Sequence, residues 1–346
     1  MRILITGSRG YVGSRLCEMI FHDHKKLNVT GLDTQFYDLS KNQFETIFIR
    51  KDIRDVILED LQDLEVMIHL ASLSNDPLGE LNKKLTENIN FRATLNLARL
   101  AKKAKVKKFI FISTQSVYGI SRYNNKTIKE NDKNIFPITE YAKSKFKAEK
   151  SILKLASSKF CVTILRPATV HGPSINFRSD IVLNNLCSSA FFLKKIIIKT
   201  DGKPYRPVLF IDDLCKIIIE CIYKKAKNIN KFIFNVGYPD KNFSIFEIAK
   251  LVKKVFIKSK IIIKNEKNHD ERSYKVNFNL ISKKFNKVLN FKNKNILDDI
   301  KKIKRFFYVN KFKKDYFLYD KTNRILKLKK LIKQKKIDNN LRIKNV

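Results

Sequence analysis

The chain has 346 residues, 44% of them hydrophobic, so it can bury the core of one large domain or of two ordinary ones. Its 72 Lys and Arg residues exceed its 33 Asp and Glu residues and give a formal net charge of +39. The lysines are spread along the whole chain and accompany no zinc-finger, helix-turn-helix or RNP-type pattern. We therefore expect a globular protein with no specific nucleic-acid partner, whose charge supports only weak, salt-sensitive association with polyanions.

The five cysteines indicate a reducing compartment. They are odd in number and form no Cys-x-x-Cys pair, so neither a disulfide framework nor a metal site is predicted. The chain opens on an apolar strand pattern instead of a signal peptide, and no apolar run approaches the roughly 18 residues that a membrane span needs. A cytoplasmic protein without a membrane partner is expected.

Short apolar runs alternate with longer amphipathic ones through the first half of the chain. The predicted strands are 3–6, 29–32, 46–49, 66–70, 108–113 and 162–165. The predicted helices begin near Tyr11 and cover 95–101 and 142–155. This alternation predicts an α/β fold with a doubly wound, Rossmann-type parallel sheet covered by helices on both faces.

Three regions follow from this pattern. Residues 1–166 are predicted to form the Rossmann domain, with its sheet completed by parts of 207–237. Residues 167–304, which carry turn signals at 171–173 and 201–204, are expected to form a smaller, interleaved C-terminal substrate-binding lobe. Residues 305–346 are lysine-rich with scattered apolar positions, and we expect a peripheral helical or frayed extension.

A glycine-rich loop lies between the first strand and the first helix. Gly7, Gly10 and Gly13 there allow a tight turn and bring helix N–H groups close to a pyrophosphate. Asp33 ends the second strand, where its carboxylate would accept the ribose hydroxyls and repel a 2′-phosphate, which favours NAD over NADP. A simple turn residue is the alternative for Asp33. Asp52, after the third strand, either meets the adenine or caps a helix.

Further short motifs follow the glycine loop in order. They are Asp-Ile-Arg at 52–54, His-Leu-Ala-Ser at 69–72, Ser-Thr-Gln-Ser-Val-Tyr-Gly at 113–119, Tyr-Ala-Lys-Ser-Lys at 141–145, Leu-Arg-Pro at 165–167 and His-Gly-Pro at 171–173. With the glycine loop, this series resembles the extended short-chain dehydrogenase/reductases, specifically the NAD-dependent nucleotide-sugar epimerase/dehydratase branch. The resemblance runs from Met1 to about Ile300.

The resemblance implies two sets of binding residues. The cofactor set is Gly7, Arg9, Gly10, Tyr11, Val12, Gly13, Asp33, Asp52, Ile53, Leu70, Ala71, Ser72, Asn90, Tyr141, Lys145 and Pro167. The set for a nucleotide-sugar substrate is Ser74, Asn75, Thr114, Asn185, Arg206 and Arg272. Arginine suits a diphosphate because its planar fork pairs with two oxygens, although a structural role explains either arginine equally well. His69 and His171 are expected to pack in the sheet and to end a strand, and no metal site is predicted.

Tyr141 and Lys145 lie four residues apart, which places them on one helix face. The ammonium is expected to lower the phenol pKa, so that Tyr141 acts as general base when a hydroxyl is oxidised and as acid in the reverse step. The resemblance implies that Thr114 holds the same oxygen and that Lys145 reaches the nicotinamide ribose.

The chain departs from the family's dehydratases directly after Thr114. Those enzymes carry Asp-Glu there, whereas this chain has Gln115-Ser116, which supply no acid or base near neutral pH. A C4-type epimerase with a transient keto sugar needs only the tyrosine and is therefore preferred. A nucleotide-sugar dehydrogenase or reductase is the nearest alternative, and a non-catalytic NAD- or RNA-binding member of the fold is a third. The resemblance also implies a homodimer through segments 95–102 and 142–155.

Overall fold

The computed structural model describes residues 1–37, 44–120, 127–133, 135–266, 272–289, 291 and 293–344. The strands of its central sheet are β1 (Arg2–Thr6), β2 (Asn28–Asp33), β3 (Ile47–Arg50), β4 (Val66–His69), β5 (Lys108–Ile112), β6 (Cys161–Pro167) and β10 (Ile233–Val236). The sheet is seven-stranded, with the order β10-β6-β5-β4-β1-β2-β3 and parallel pairing throughout. The predicted doubly wound parallel sheet is confirmed.

Helices cover both faces of this sheet. They are α1 (Tyr11–Asp23), α2 (Asp76–Leu81), α3 (Lys83–Glu87), α4 (Thr94–Lys103), α5 (Glu140–Leu153) and α7 (Ile211–Tyr223). Ile3 and Ile5 of β1 pack in one apolar cluster and Leu4 in the other, so the strand is buried on both faces and its sequence is a continuous apolar run. Within the described ranges, no helix is long and apolar enough to span a membrane.

The smaller lobe follows β6 and is interleaved with the sheet. Its strands are β7 (Thr169–His171), β8 (Lys195–Ile198), β9 (Tyr205–Phe210), β11 (Asn242–Ser244) and β12 (Lys260–Ile263), and its helices are α6 (Val182–Leu193), α8 (Ile245–Val255), α9 (Asn279–Lys284) and α10 (Ile296–Val309). The order β11-β9-β7 forms a three-stranded sheet, and β12 pairs with β8. Of the region 207–237, β10 completes the central sheet, whereas β9 belongs to the lobe.

The C-terminal extension is helical, which is one of the two expected forms, but part of it is buried instead of peripheral. The predicted boundary at 305 falls inside α10, after which α11 (Lys314–Leu318) and α12 (Arg324–Lys333) follow. Leu328 and Leu341 are buried in the same apolar cluster as β5. The apolar positions of α12 recur every three or four residues, so one face of the helix can pack on the Rossmann domain.

Candidate active site

A cleft of about 410 Å³ lies between the Rossmann domain and the smaller lobe. It opens at the carboxyl ends of the parallel strands, where β1 lies between β2 and β4 and the chain order of the strands reverses. Crevices at this point of an open α/β sheet bind ligands. Most of the residues predicted to bind cofactor or substrate line this one cleft.

The glycine loop forms one wall of the cleft. Gly7 has φ +75°, and a Cβ there would lie 2.8 Å from the backbone nitrogen of Ala71. A Cβ on Gly13 would lie 2.0 Å from the carbonyl oxygen of Gly7, so both positions exclude a side chain. Gly10 precedes α1 without a side-chain cap, which leaves helix N–H groups at the loop. This shape and polarity fit the pyrophosphate of a dinucleotide.

Two aspartates lie on the adenosine side of the same wall. The Asp33 carboxylate accepts hydrogen bonds from the N–H groups of Arg9 at 3.1 Å and Gln35 at 2.8 Å, so it also shapes the turn after β2. Asp52 caps the short 3₁₀ helix at 53–55 by accepting from the Arg54 N–H at 2.8 Å. Both residues line the cleft. Asp33 can therefore shape the turn, and Asp52 can cap the 3₁₀ helix, while each also contacts a ligand.

Thr114, Tyr141 and Lys145 line the opposite end of the cleft. Burial, with a smaller contribution from Asp76, raises the pKa of Tyr141 to about 12, and the nearby Thr114 opposes this rise. Burial lowers the pKa of Lys145 to about 7, against the opposing effect of Glu149. The expectation that the lysine lowers the phenol pKa is therefore wrong for this environment. The Lys145 ammonium donates instead to the carbonyl oxygen of Ile112, at 2.8 Å.

A buried polar network holds α5 against the sheet behind these residues. Glu149, one helical turn after Lys145, pairs with the Arg166 guanidinium at 2.6 Å and accepts a hydrogen bond from the Ser113 hydroxyl. Arg166 also donates to the Tyr118 hydroxyl at 3.0 Å. Both members of the ion pair are 1% exposed, so the network fixes the position of α5 relative to β5 and β6.

A second polar cluster forms the wall near the smaller lobe. Arg178 pairs with Asp180 at 2.9 Å and donates to the Ser74 hydroxyl at 2.8 Å. Asn75 donates to the same Asp180 carboxylate at 3.0 Å. The predicted substrate residues Ser74 and Asn75 thus lie in the cleft and are held by Arg178 and Asp180.

Arg206 and Arg272 also reach the cleft, as the resemblance implies for ligands of a diphosphate. Arg272 pairs with Asp76 at 2.5 Å and donates to the Ser116 hydroxyl at 2.6 Å. Arg206 donates to the carbonyl oxygens of Tyr205 and Arg272, which links the two arginines.

Three predicted binding residues do not line the cleft. The Arg9 side chain is turned away, 3.0 Å from Glu45 and 4.6 Å from the ring centroid of Phe48, although its backbone N–H holds Asp33. Asn90 is buried and bonds both backbone groups of Leu73. Asn185 donates to the carbonyl oxygen of Ser179. Their side chains support the cleft from behind, and direct ligand contacts by them remain untested predictions.

The sequence interpretation missed five charged residues of the cleft: Lys51, Asp76, Arg178, Asp180 and Arg324. Asp76 follows Asn75, whose side chain caps α2 ahead of Pro77, and this Asn-Asp-Pro signal could have identified it. Arg178 and Arg324 carry no local motif. They reach the cleft only through long-range packing.

Of the five histidines, the two in the sequence motifs, His69 and His171, have structural positions. His69 is fully buried between the hydroxyls of Thr6, at 2.7 Å, and Thr94, at 2.8 Å. His171 ends β7 and lies 3.2 Å from Asp299. Both match the sequence interpretation. In the part of the chain that the structure describes, no three His, Cys, Asp or Glu side chains are grouped to hold a metal ion.

Comparison with known proteins identifies the family. The model of the NAD-dependent epimerase/dehydratase family matches residues 3–237, which is more than half of the chain. The chain belongs to this family. NAD is accordingly the cofactor. The glycine loop fits its pyrophosphate, and Asp33 fits its adenosine ribose.

Relatives within the epimerase/dehydratase family carry different activities. A dTDP-D-glucose 4,6-dehydratase of Dictyostelium discoideum is 30% identical over 278 residues, which span 72% of this chain and 61% of that protein. A Bacillus subtilis protein named as an uncharacterized UDP-glucose epimerase, YtcB, is 28% identical over 74% of this chain and 82% of its own length. The UDP-glucuronic acid 4-epimerase of Bacillus cereus, solved with UDP-glucuronic acid and NAD, has a TM-score of 0.73 and 25% identity, and covers 90% of this chain and 100% of its own.

Proposed function

We propose that this enzyme is a C4-type epimerase, an isomerase that acts on a nucleotide-diphosphate sugar through a transient keto sugar. The observation that carries the proposal is the convergence of Thr114, Tyr141 and Lys145 with the glycine loop and two arginines in one cleft. Bound NAD supplies a reversible two-electron oxidation at the sugar carbinol. We assign Arg206 and Arg272 to the substrate diphosphate, and Ser74 and Asn75 to the sugar, because all four line the cleft.

Proton transfer at the sugar oxygen is assigned to Tyr141. The nearby Thr114 also lines the cleft and opposes the rise in the pKa of this phenol. A tyrosine that starts protonated, as its raised pKa of about 12 requires, can donate to a keto oxygen directly and must lose its proton before it accepts one. Lys145, with a pKa near 7, is the adjacent group that exchanges protons in the physiological range.

The residues after Thr114 disfavour water elimination. Gln115 points away from the cleft, and its amide donates to the carbonyl oxygen of Arg166 at 3.2 Å. Ser116 lines the cleft but accepts the hydrogen bond from Arg272. The nearby carboxylate of Asp76 is held by Arg272 and by the Thr139 hydroxyl. Each oxygen of this carboxylate is therefore already engaged by another side chain.

The test offers the purified enzyme a panel of UDP-, dTDP-, GDP- and CDP-sugars. NADH absorbance is followed while the sugar products are analysed. Inversion of one sugar carbon with only transient reduction of bound NAD supports the epimerase. Stoichiometric accumulation of NADH with an oxidised sugar would instead identify a dehydrogenase. No turnover on any sugar, together with tight, salt-resistant RNA binding, would favour the non-catalytic alternative.

We also propose a cytoplasmic homodimer without a nucleic-acid or membrane partner. All five cysteines are buried and free, which suits a reducing compartment. The proposed interface is the outer face of α4 and α5, where Lys143, Lys147 and Lys150 are exposed. Because like charges would face each other there, the dimer should strengthen with salt. Light scattering in low and high salt tests this, and a monomer in both contradicts it.

A further inference from the structure

Arg324 brings a positive charge from the C-terminal extension into the cofactor cleft. It is the first residue of α12 and lies beyond residues 3–237, which the family model matches. Its side chain lines the cleft although the residue is only 3% exposed. The guanidinium donates to the carbonyl oxygens of Asn176 at 3.2 Å and Tyr37 at 3.3 Å, and lies 4.1 Å from the ring centroid of Tyr37.

This guanidinium has neutral partners only. Among the described residues, no carboxylate lies within 4 Å of it, and the nearby Arg178 adds a like charge. Burial and Arg178 together lower the pKa of Arg324 to about 10, while Tyr37, Asp180 and Asp33 oppose the shift. A buried cation without a counter-ion is costly, and the cost is removed when an anion enters the cleft.

The contacts of Arg324 indicate which part of a bound dinucleotide lies beside it. Asn176, whose carbonyl oxygen accepts from Arg324, also donates its side-chain amide to the carbonyl oxygen of Arg9 in the glycine loop, at 3.0 Å. Tyr37 follows Asp33 by four residues. Arg324 is therefore connected through Asn176 to the loop that fits the pyrophosphate, and it contacts Tyr37 in the segment that follows Asp33.

We propose that Arg324 binds the diphosphate of the dinucleotide, so that the C-terminal extension completes the cofactor site. The inference rests on NAD as the cofactor and not on the proposed epimerase reaction. A guanidinium suits the role because it presents a fork of donors to phosphate oxygens. Leu341, from the same extension, lines the cleft at its adenosine end.

Polar contacts on the adenosine side hold the extension in place. Arg54 donates to the carbonyl oxygen of Asn340 at 2.9 Å, and Arg342 pairs with Asp55 and lies 3.8 Å from Asp52. Arg342 does not line the cleft. It therefore provides a matched control, since its loss loosens the extension without removing a charge from the cofactor site.

The test measures dissociation constants of the cofactor-free full chain for NAD, ADP and adenosine by calorimetry. Arg324→Gln should weaken NAD and ADP about ten- to a hundred-fold, the range for a lost charge-assisted contact, and adenosine less than about threefold. Arg342→Gln should leave all three within about threefold. Arg324→Lys keeps the charge but loses the fork, so NAD and ADP should weaken by about fivefold.

Four outcomes would overturn the proposal. An equal loss for adenosine would place Arg324 on the ribose or adenine. An equal loss in Arg342→Gln would mean that docking of the extension, and not the Arg324 charge, sets affinity. Unchanged NAD and ADP affinity in Arg324→Gln would exclude a contact between Arg324 and the diphosphate of the cofactor. If Arg324→Gln does not fold, Arg324→Lys decides, and wild-type NAD affinity in that variant would contradict a diphosphate contact.

Discussion

The Lys145 ammonium donates a 2.8 Å hydrogen bond to the carbonyl oxygen of Ile112, the last residue of β5. Its nitrogen also lies 4.6 Å from the ring centroid of Phe111. One neutral acceptor and an aromatic face solvate a charge less well than water does, so the protonated form is disfavoured. The resulting pKa of about 7 makes Lys145 a titrating group in the range where the enzyme is expected to work.

This pKa shift predicts a pH dependence of stability. The pKa of Lys145 falls from 10.5 to about 7 on folding, so between these values the unfolded chain binds more protons and the free energy of unfolding rises with pH. Below pH 7 both states are protonated and the burial cost is greatest. From pH 7 to 8.5, the free energy of unfolding of wild type should therefore rise by about 1–2 kcal/mol relative to that of Lys145→Met.

Urea unfolding at the two pH values measures this difference. Unfolded cysteines, whose pKa is about 8.5, ionise equally in both proteins, so their contribution cancels from the comparison. Lys147→Met removes an exposed lysine from the same helix and should show no such growth. Parallel profiles for wild type and Lys145→Met would mean that Lys145 is not titrating near neutrality.

Tyr141→Phe removes the proposed proton-transfer group and little else. The phenyl ring keeps the packing of a side chain on a residue that is 7% exposed, so affinity for NAD should change less than about twofold. The turnover number should fall by about 10²- to 10⁴-fold, the usual contribution of a general acid–base group. Steady-state kinetics and a cofactor titration separate the two effects. Tyr308→Phe, at a residue that is 63% exposed, is the control, and full turnover in Tyr141→Phe would exclude Tyr141 from the chemistry.

Glu149→Gln breaks the buried ion pair behind the site. It leaves Arg166 without its carboxylate in a place where both partners are 1% exposed, so we expect a loss of about 3–5 kcal/mol in the free energy of unfolding. Glu87→Gln removes the partner of Lys147, whose side chain is 52% exposed, and should cost less than about 1 kcal/mol. Urea titrations of both variants provide the comparison. Equal losses would mean that burial does not control the strength of these pairs.

The local patterns of the sequence predicted the sheet and the motif-bearing half of the site. Fully buried parallel strands appear as short apolar runs, and the glycine loop must directly follow β1, so both could be identified from neighbouring residues. Arg324 could not be identified in this way, because its partner Tyr37 is 287 residues away along the chain. The direction of the Tyr141 pKa shift could not be predicted from the sequence either. It depends on burial and on where the Lys145 ammonium points, and spacing along a helix determines neither.

The packing of the C-terminal extension gives the last prediction. Leu328 is 1% exposed in the apolar cluster beneath β5, whereas Leu326, two residues earlier on α12, is 41% exposed. Leu328→Ala should therefore lower the free energy of unfolding by about 2–5 kcal/mol, because it leaves a cavity in a packed core. Leu326→Ala should stay within about 0.5 kcal/mol of wild type. Urea unfolding measures both. Equally small losses for the two substitutions would show that the extension is peripheral. They would refute the buried position of α12 on the Rossmann domain.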